Sequence, residues 1–352
     1  MIDAKLKIAI LYDTLGADEA LVEPKPRRKR QATPPREKED REEIFDALQE
    51  LGHEPFYYVL DGRLPSLHAL SRCGADLIFN LTESFNGDDT KDMNLAAYLE
   101  LIGIPFTGSG PHAFFLAQDK AIAKKMFAFH GVRTPYFATS YRGRIDHSHD
   151  IAFPLIVKPL YEDGSIGIDA DAVVHGIKDL MERVQRIEEE FDSPALIEEY
   201  IEGREIYAAI LGSYEHSRAL PLVELDFSRL PKGTPRIASW DVKFEKETQV
   251  HKLTKSGVVR NLDEETVSRI SQNALAAYRA LKLRDYGRID MRLTPKGDVY
   301  VIEANPNPWL ASQHEFAMAA KASGRSYTQV IGEIVNLAMS RYSRRAKAQA
   351  QS

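Results

Sequence analysis

Residues 288–308, RIDMRLTPKGDVYVIEANPNP, constrain this chain more than any other stretch. Charged and apolar residues alternate over 288–293, and again over 299–305, with an acid at Glu303 and an amide at Asn305. That alternation predicts two strands, and Thr-Pro-Lys-Gly-Asp between them is turn chemistry. A two-residue turn centred on Lys296 and Gly297 sets residue 290 opposite 303 and residue 288 opposite 305. Asp290, Glu303, Arg288 and Asn305 then share one face. Two carboxylates directly opposite each other repel, so a cation between them is expected. Oxygen ligands without a nearby His or Cys suit a hard ion such as Mg2+. Mg2+ held by one or two carboxylates takes its remaining ligands from water and nucleotide phosphates. A solvated hairpin is the plainer reading, but it does not need Asn-Pro-Asn-Pro directly after the second strand. A one-residue slip in register would send the two acids to opposite faces.

A chain of 352 residues suggests two or three domains. An apolar content of 43% supports a real core. The formal net charge of −6 implies no general affinity for nucleic acid. No N-terminal apolar segment and no long uncharged apolar run occurs, so neither secretion nor a membrane span is expected. The single cysteine, Cys73, fits a reducing cytoplasm and reads as a core thiol.

Along the chain, LKIAILY at 6–12 reads as a buried parallel strand. Residues 23–43 are almost all Lys, Arg, Glu and Pro and predict a mobile insert, with the basic run Arg27, Arg28, Lys29 and Arg30 in a solvated loop. A helix over 41–51 and strands over 54–60 and 77–81 follow, giving strand–helix–strand order and an open parallel α/β layer. Helices are expected over 93–102 and 120–129. From Pro154 the pattern turns to strand–turn–strand, PLIVKPL then EDGSIGI, with a helix over 172–191 and strands over 195–200 and 205–211. A strand near 220–226, a helix over 263–281 and a last helix over 326–345 complete the reading. The expected units are 1–118, an N-terminal α/β domain carrying the insert; 119–204; 205–345; and a disordered tail, 346–352.

Lys158 ends an apolar strand, where an unpaired ammonium is costly, so it calls for an anion. Gly164-Ser165-Ile166-Gly167 lies six residues beyond and lets backbone N–H groups approach a phosphate. No Walker A loop is present. Glu205 is placed to accept hydrogen bonds from a ribose. Lys243, between Trp240 and Phe244, reads by itself as a snorkelling lysine on an amphipathic strand.

Together these pieces resemble the ATP-grasp ligases, in particular their D-alanine–D-alanine ligase branch. The resemblance covers 80–310 and rests on LELIGIPFTGSG (99–110), DKAIAKKMF (119–127), PLIVKPLYEDGSIG (154–167), IEEYIEGRE (197–205) and the hairpin. It implies an ATP-grasp fold, α+β in the ATP-binding half, with 119–204 and 205–345 as its two subdomains. It implies that Lys120, Lys158 and Lys243 hold ATP phosphates, and that Gly164 and Ser165 belong to a loop that closes over them. It assigns Glu198, Glu199, Tyr200 and Ile201 to the adenine-binding linker and Glu205 to the ribose. Asp290, Glu303 and Asn305 become Mg2+ ligands, for one ion or two, with Mn2+ as a substitute, and Arg288 the oxyanion arginine.

The implied reaction phosphorylates a carboxylate with ATP and joins it to an amine, releasing ADP and phosphate. The expected partners are a small carboxylate and an amine, an amino acid or peptide, with no nucleic acid and no membrane. A homodimer is within expectation.

The chain departs from that branch where the branch binds substrate. Asp13-Thr14-Leu15-Gly16 and the insert replace its first glycine-rich loop and glutamate. Leu81-Thr82-Glu83-Ser84 replaces its His-Gly pair, and Asn305-Pro306-Asn307-Pro308-Trp309-Leu310 its proline-glycine segment. These departures point to substrates other than D-alanine, with Glu83 as an ammonium anchor and His314 or Trp309 shaping the acceptor pocket. A ligase adding amino acids to a protein or peptide tail is one alternative; a nucleotide-binding regulator without catalysis is another.

Overall fold

A computed structural model of the chain describes residues 4–14, 38–147 and 149–350, with side chains through 344. Residues 15–37, which carry most of the charged insert, lie outside the described residues.

The N-terminal layer is built on a parallel sheet. β1 (Lys7–Asp13) lies between β2 (Glu54–Leu60) and β3 (Leu77–Asn80). Ile8, Ala9, Ile10 and Leu11 are buried on both faces of the sheet, which is why this strand reads as a continuous apolar run. α1 (Asp40–Glu50) and α2 (Leu64–Leu70) connect the strands. α1 begins inside the segment assigned to the insert, because Glu39 and Glu42 form a reciprocal capping box. α3 (Asp92–Ile102), α4 (Pro111–Gln118) and α5 (Lys120–Phe129) lead out of the layer, α5 capped by the Asp119 carboxylate on the Ile122 N–H.

The central unit is an antiparallel sheet of β4 (Phe137–Tyr141), β5 (Arg144–His147), β6 (Leu155–Pro159), β7 (Val173–Val174) and β8 (Ala195–Glu199), in the order β5-β4-β8-β6-β7. α6 (Ile177–Phe191) covers one face, packing Val184 and Ile187 on Leu155, Val157 and Ile197. Residues 162–168 are a turn, and the strand expected there is absent. Positive φ at Gly164, Ser165 and Gly167 is incompatible with an extended strand.

The C-terminal unit is a second antiparallel sheet. Its strands are β9 (Arg204–Leu211), β10 (Arg218–Ala219), β11 (Val223–Asp226), β12 (Lys255–Val258), β13 (Tyr286–Leu293) and β14 (Val299–Asn305). The order is β12-β11-β9-β13-β14, with β10 on β9. α7 (Trp240–Lys243) and α8 (Gln249–Leu253) lie between β11 and β12, so Lys243 ends a helical turn and not a strand. α9 (Glu264–Ala280) packs on one face of the sheet, against Ile206, Ala208, Ile289 and Met291. α10 (Glu315–Ala322) and α11 (Tyr327–Ala350) cover part of the other face and join it to β1 and α1 through one continuous core. α11 continues to Ala350, into the stretch expected to be a disordered tail.

Candidate active site

The hairpin places its polar residues as its alternation dictates. Asp290 pairs with Glu303 and Arg288 with Asn305, and β9 contributes Tyr207 opposite Asp290 and Glu205 opposite Arg292. Ile289, Met291 and Leu293 turn to the other face, into the core under α9. On β6 the same parity sends Val157 to α6 and Lys158 to the opposite side, facing the C-terminal sheet.

Between the two antiparallel sheets lies a cleft of about 610 Å3, solvent included. Its walls bring together most of the residues singled out from sequence: Lys158, Ser165, Glu198, Glu199, Tyr200, Ile201, Glu205, Lys243, Asp290 and Glu303. Lys120, Gly164, Arg288 and Asn305 stand outside this lining. Arg292, Ile302, Ile237 and Ala238 also line the cleft and were not anticipated. Arg292 was legible, since Arg288, Asp290 and Arg292 alternate on one strand face.

The glycine-rich turn is seated over this cleft. The Ser165 hydroxyl donates to the Ala238 carbonyl at 2.6 Å, and the Trp240 N–H to the Ile168 carbonyl at 3.0 Å. Arg183, on the buried face of α6, donates to the Gly167 carbonyl at 2.5 Å and to the Asp169 carboxylate at 2.9 Å, tying down the far end of the turn.

Buried charges of both signs meet around these residues. Glu198 is 1% exposed at its side chain and receives Lys158 at 2.6 Å on one oxygen and Lys124 on the other. Burial alone would raise the Glu198 carboxyl, but the two lysines outweigh it and hold it below the usual range. Lys120 donates to the Glu162 carbonyl at 2.5 Å and pairs with Asp163 at 3.1 Å. Burial disfavours its ammonium, and Asp163 and Glu303 more than compensate. At Glu303, burial is outweighed by Lys120, Lys158, Lys243 and Arg288, which hold the carboxyl low. Burial pushes Asp290 the other way, against the pull of Arg288. Arg288 grips both oxygens of Asp290, at 2.7 and 2.8 Å, and has Glu315 at 3.7 Å. Glu205 is paired with Arg292 at 2.7 Å.

Among the described residues no group of three or more His, Cys, Asp or Glu side chains is arranged to hold a metal. The candidate set is two carboxylates and an amide. Asn305 Nδ2 is buried without a hydrogen-bond partner, on the same strand face as Asp290 and Glu303. Turning that amide over would put its oxygen in the orphaned position. The donor set is therefore all oxygen and fits a hard divalent ion completed by phosphate and water.

Glu83, Trp309 and His314 lie elsewhere, where the N-terminal layer meets the segment after β14. Asn307 donates to the Thr82 carbonyl at 3.1 Å and accepts from the Tyr286 hydroxyl at 2.5 Å. Ser312 is held by both oxygens of Glu43, at 2.6 and 2.7 Å. Trp309 stacks on His314 with ring centroids 4.0 Å apart. Glu83 keeps contact with solvent but is hemmed in by protein. That crowding, together with Asp13, Asp40 and Asp163, pushes its carboxyl up to about 7. The Asp13 carboxylate accepts from the Glu83 N–H at 2.9 Å and the Ser84 hydroxyl at 2.5 Å, fixing the loop.

Among the described residues no helix is long and apolar enough to cross a membrane.

The profile of the family described as D-ala D-ala ligase C-terminus matches residues 127–336. A D-alanine–D-alanine ligase of Bordetella petrii is 33% identical over 276 residues, covering 77% of this chain and 78% of that protein. An uncharacterized protein of Sinorhizobium fredii, y4sG, is 34% identical over 306 residues, covering 85% and 87%. The solved structure of the D-alanine–D-alanine ligase of Bacillus anthracis complexed with ATP superposes with a TM-score of 0.72 at 22% identity, covering 97% of this chain and 99% of that one; this likeness concerns the fold. With the cleft, its lysines and the carboxylate hairpin in the matched order, the chain belongs to the D-alanine–D-alanine ligase family of ATP-grasp, ADP-forming ligases.

Proposed function

We infer that this protein joins a carboxylate to an amine at the expense of ATP, with an acyl phosphate between, and that its substrates are amino acids or peptides other than D-alanine. The observation that supports this most is one cleft holding Lys158, Lys243, Ser165, Asp290 and Glu303 together. Glu199, Tyr200 and Ile201 would border the adenine, and Glu205, oriented by Arg292, the ribose. Lys120, Lys158 and Lys243, with the 164–165 backbone and the Ser165 hydroxyl, would hold the phosphates. Asp290, Glu303 and Asn305 would hold Mg2+. When bound, that ion offsets the repulsion between triphosphate and carboxylate.

Arg288 lies beside the metal acids and would steady the negative charge that builds on the reacting carbonyl oxygen. The carboxylate oxygen takes the γ-phosphoryl group and ADP leaves. The amine nitrogen then attacks the acyl carbon, the C–O bond to phosphate breaks, and phosphate departs as the nitrogen loses a proton. The seated 162–168 turn keeps water from the acyl phosphate. Glu83, with Asp13 beneath it, would anchor a substrate ammonium, and Trp309 stacked on His314 would wall the acceptor side.

The test is ADP release across a panel of amine and carboxylate pairs. At least one pair should release ADP together with an amide product. Glu303→Gln and Asp290→Asn should abolish that release while the protein remains folded, as read by circular dichroism. Tight ATP binding with no ADP release from any pair would favour a nucleotide-binding regulator.

A further inference from the structure

Lys124 is a buried cation with no part in the reaction as set out above. It lies one helical turn beyond Lys120 on α5, and its side chain is 0% exposed. Besides Glu198, its ammonium reaches the Thr134 hydroxyl at 3.0 Å and the Ile302 carbonyl at 3.3 Å. Burying a lysine this deeply is costly, and an apolar side chain would fill the helix face at less expense.

The geometry gives the charge a use. Glu198 has two oxygens and two lysines, one on each. With Lys124 absent, the whole carboxylate charge would fall to Lys158 and neutralise it. With Lys124 present, the buried trio keeps one net positive charge; Lys158 and Glu198 both line the cleft, and Lys124 stands behind them. The third contact, to Ile302, ties the same ammonium to the residue just before Glu303.

We propose that Lys124 is a positioning residue for the nucleotide phosphates: it takes one oxygen of Glu198 and so fixes Lys158 at the cleft wall with its charge available to an anion. This rests on Lys158 being a phosphate ligand, as proposed above.

The test is calorimetry of ATP and of adenosine, with Mg2+, on the full chain, in a double-mutant cycle of Lys124→Met and Lys158→Ala. Lys124→Met should weaken ATP about tenfold and adenosine less than about twofold. Added to Lys158→Ala, it should cost less than about a further twofold, because its path runs through Lys158. Unchanged ATP affinity, an equal loss for adenosine, or the same factor recurring in the Lys158→Ala background would overturn the proposal. If Lys158→Ala weakens ATP and Lys124→Met does not, this inference alone falls. If Lys158→Ala leaves ATP affinity intact, the phosphate role of Lys158 falls as well. Should Lys124→Met not fold, Lys124→Gln, uncharged but still able to donate to Thr134 and Ile302, carries the same test. Loss of ATP affinity with adenosine spared supports the proposal, and any other pattern overturns it.

Discussion

Arg288 and Asp290 satisfy each other in this structure, so the arginine is held in place by the acid it stands beside. A bidentate pair of this kind fixes the guanidinium plane before any substrate arrives. Glu83 is the opposite case, a carboxyl among carboxylates. Its ordinary value of 4.5 is raised to about 7 by crowding, Asp13, Asp40 and Asp163. An acid raised in the folded state binds its proton more tightly there than when unfolded. Its effect on stability is therefore nil below its unfolded pKa and becomes unfavourable as pH climbs from about 4.5 to about 7. Glu83→Gln should accordingly raise the melting temperature at about pH 8 and leave it unchanged at about pH 4. Scanning calorimetry at the two pH values checks this; an equal change at both would remove the electrostatic explanation.

At the level of elements, the 162–168 turn depends on its glycines unequally. A Cβ on Gly167, at φ +71°, would lie 2.5 Å from Pro159 Cγ, whereas one on Gly164, at φ +63°, meets nothing within 4 Å. Gly164→Ala should cost no more than the left-handed backbone penalty of about 1–2 kcal/mol, and Gly167→Ala that penalty plus the clash with Pro159, both read from denaturant melts. Equal costs would mean that the turn moves freely over Pro159.

The hairpin shows how sequence and structure can agree by two offsets. The expected two-residue turn is in fact longer, with Leu293 paired to Val299, which shifts the register by one. An irregularity between Asp290 and Met291, with Ile302 as the extra residue on β14, shifts it back. Asp290 thus faces Glu303 as the alternation required, although the turn differs. Period-2 patterning is a strong signal because it reports burial, whereas a bulge leaves no pattern of its own. Lys243 and the 162–168 turn were misread as strands for a related reason: short apolar runs do not distinguish a strand from a helical turn or a coil. Lys124 had a visible signal, a second lysine four residues after Lys120 on an apolar helix face, but its partners come from strands far away in sequence.

Across the whole molecule, Asp285 joins the units. Fully buried, it accepts from the Gly108 N–H at 3.0 Å and pairs with Arg341 of α11 at 2.7 Å, linking the end of the N-terminal layer to β13 and the last helix. No local pattern marks such a residue, because its partners lie 177 and 56 positions away. Asp285→Ala should cost about 3–5 kcal/mol by leaving Arg341 buried without its partner, measured by urea unfolding. A loss below about 1 kcal/mol would show that the units dock without it. That docking sets the Glu83 loop and the Trp309 segment side by side, while the cleft between the two antiparallel sheets holds the residues proposed to bind nucleotide. The most direct test is a crystal structure of the protein with Mg2+ and a non-hydrolysable ATP analogue. The account predicts an ion held by both Asp290 and Glu303 beneath the phosphates, with Lys158 on those phosphates. Nucleotide bound with the two carboxylates turned apart and no ion between them would contradict it.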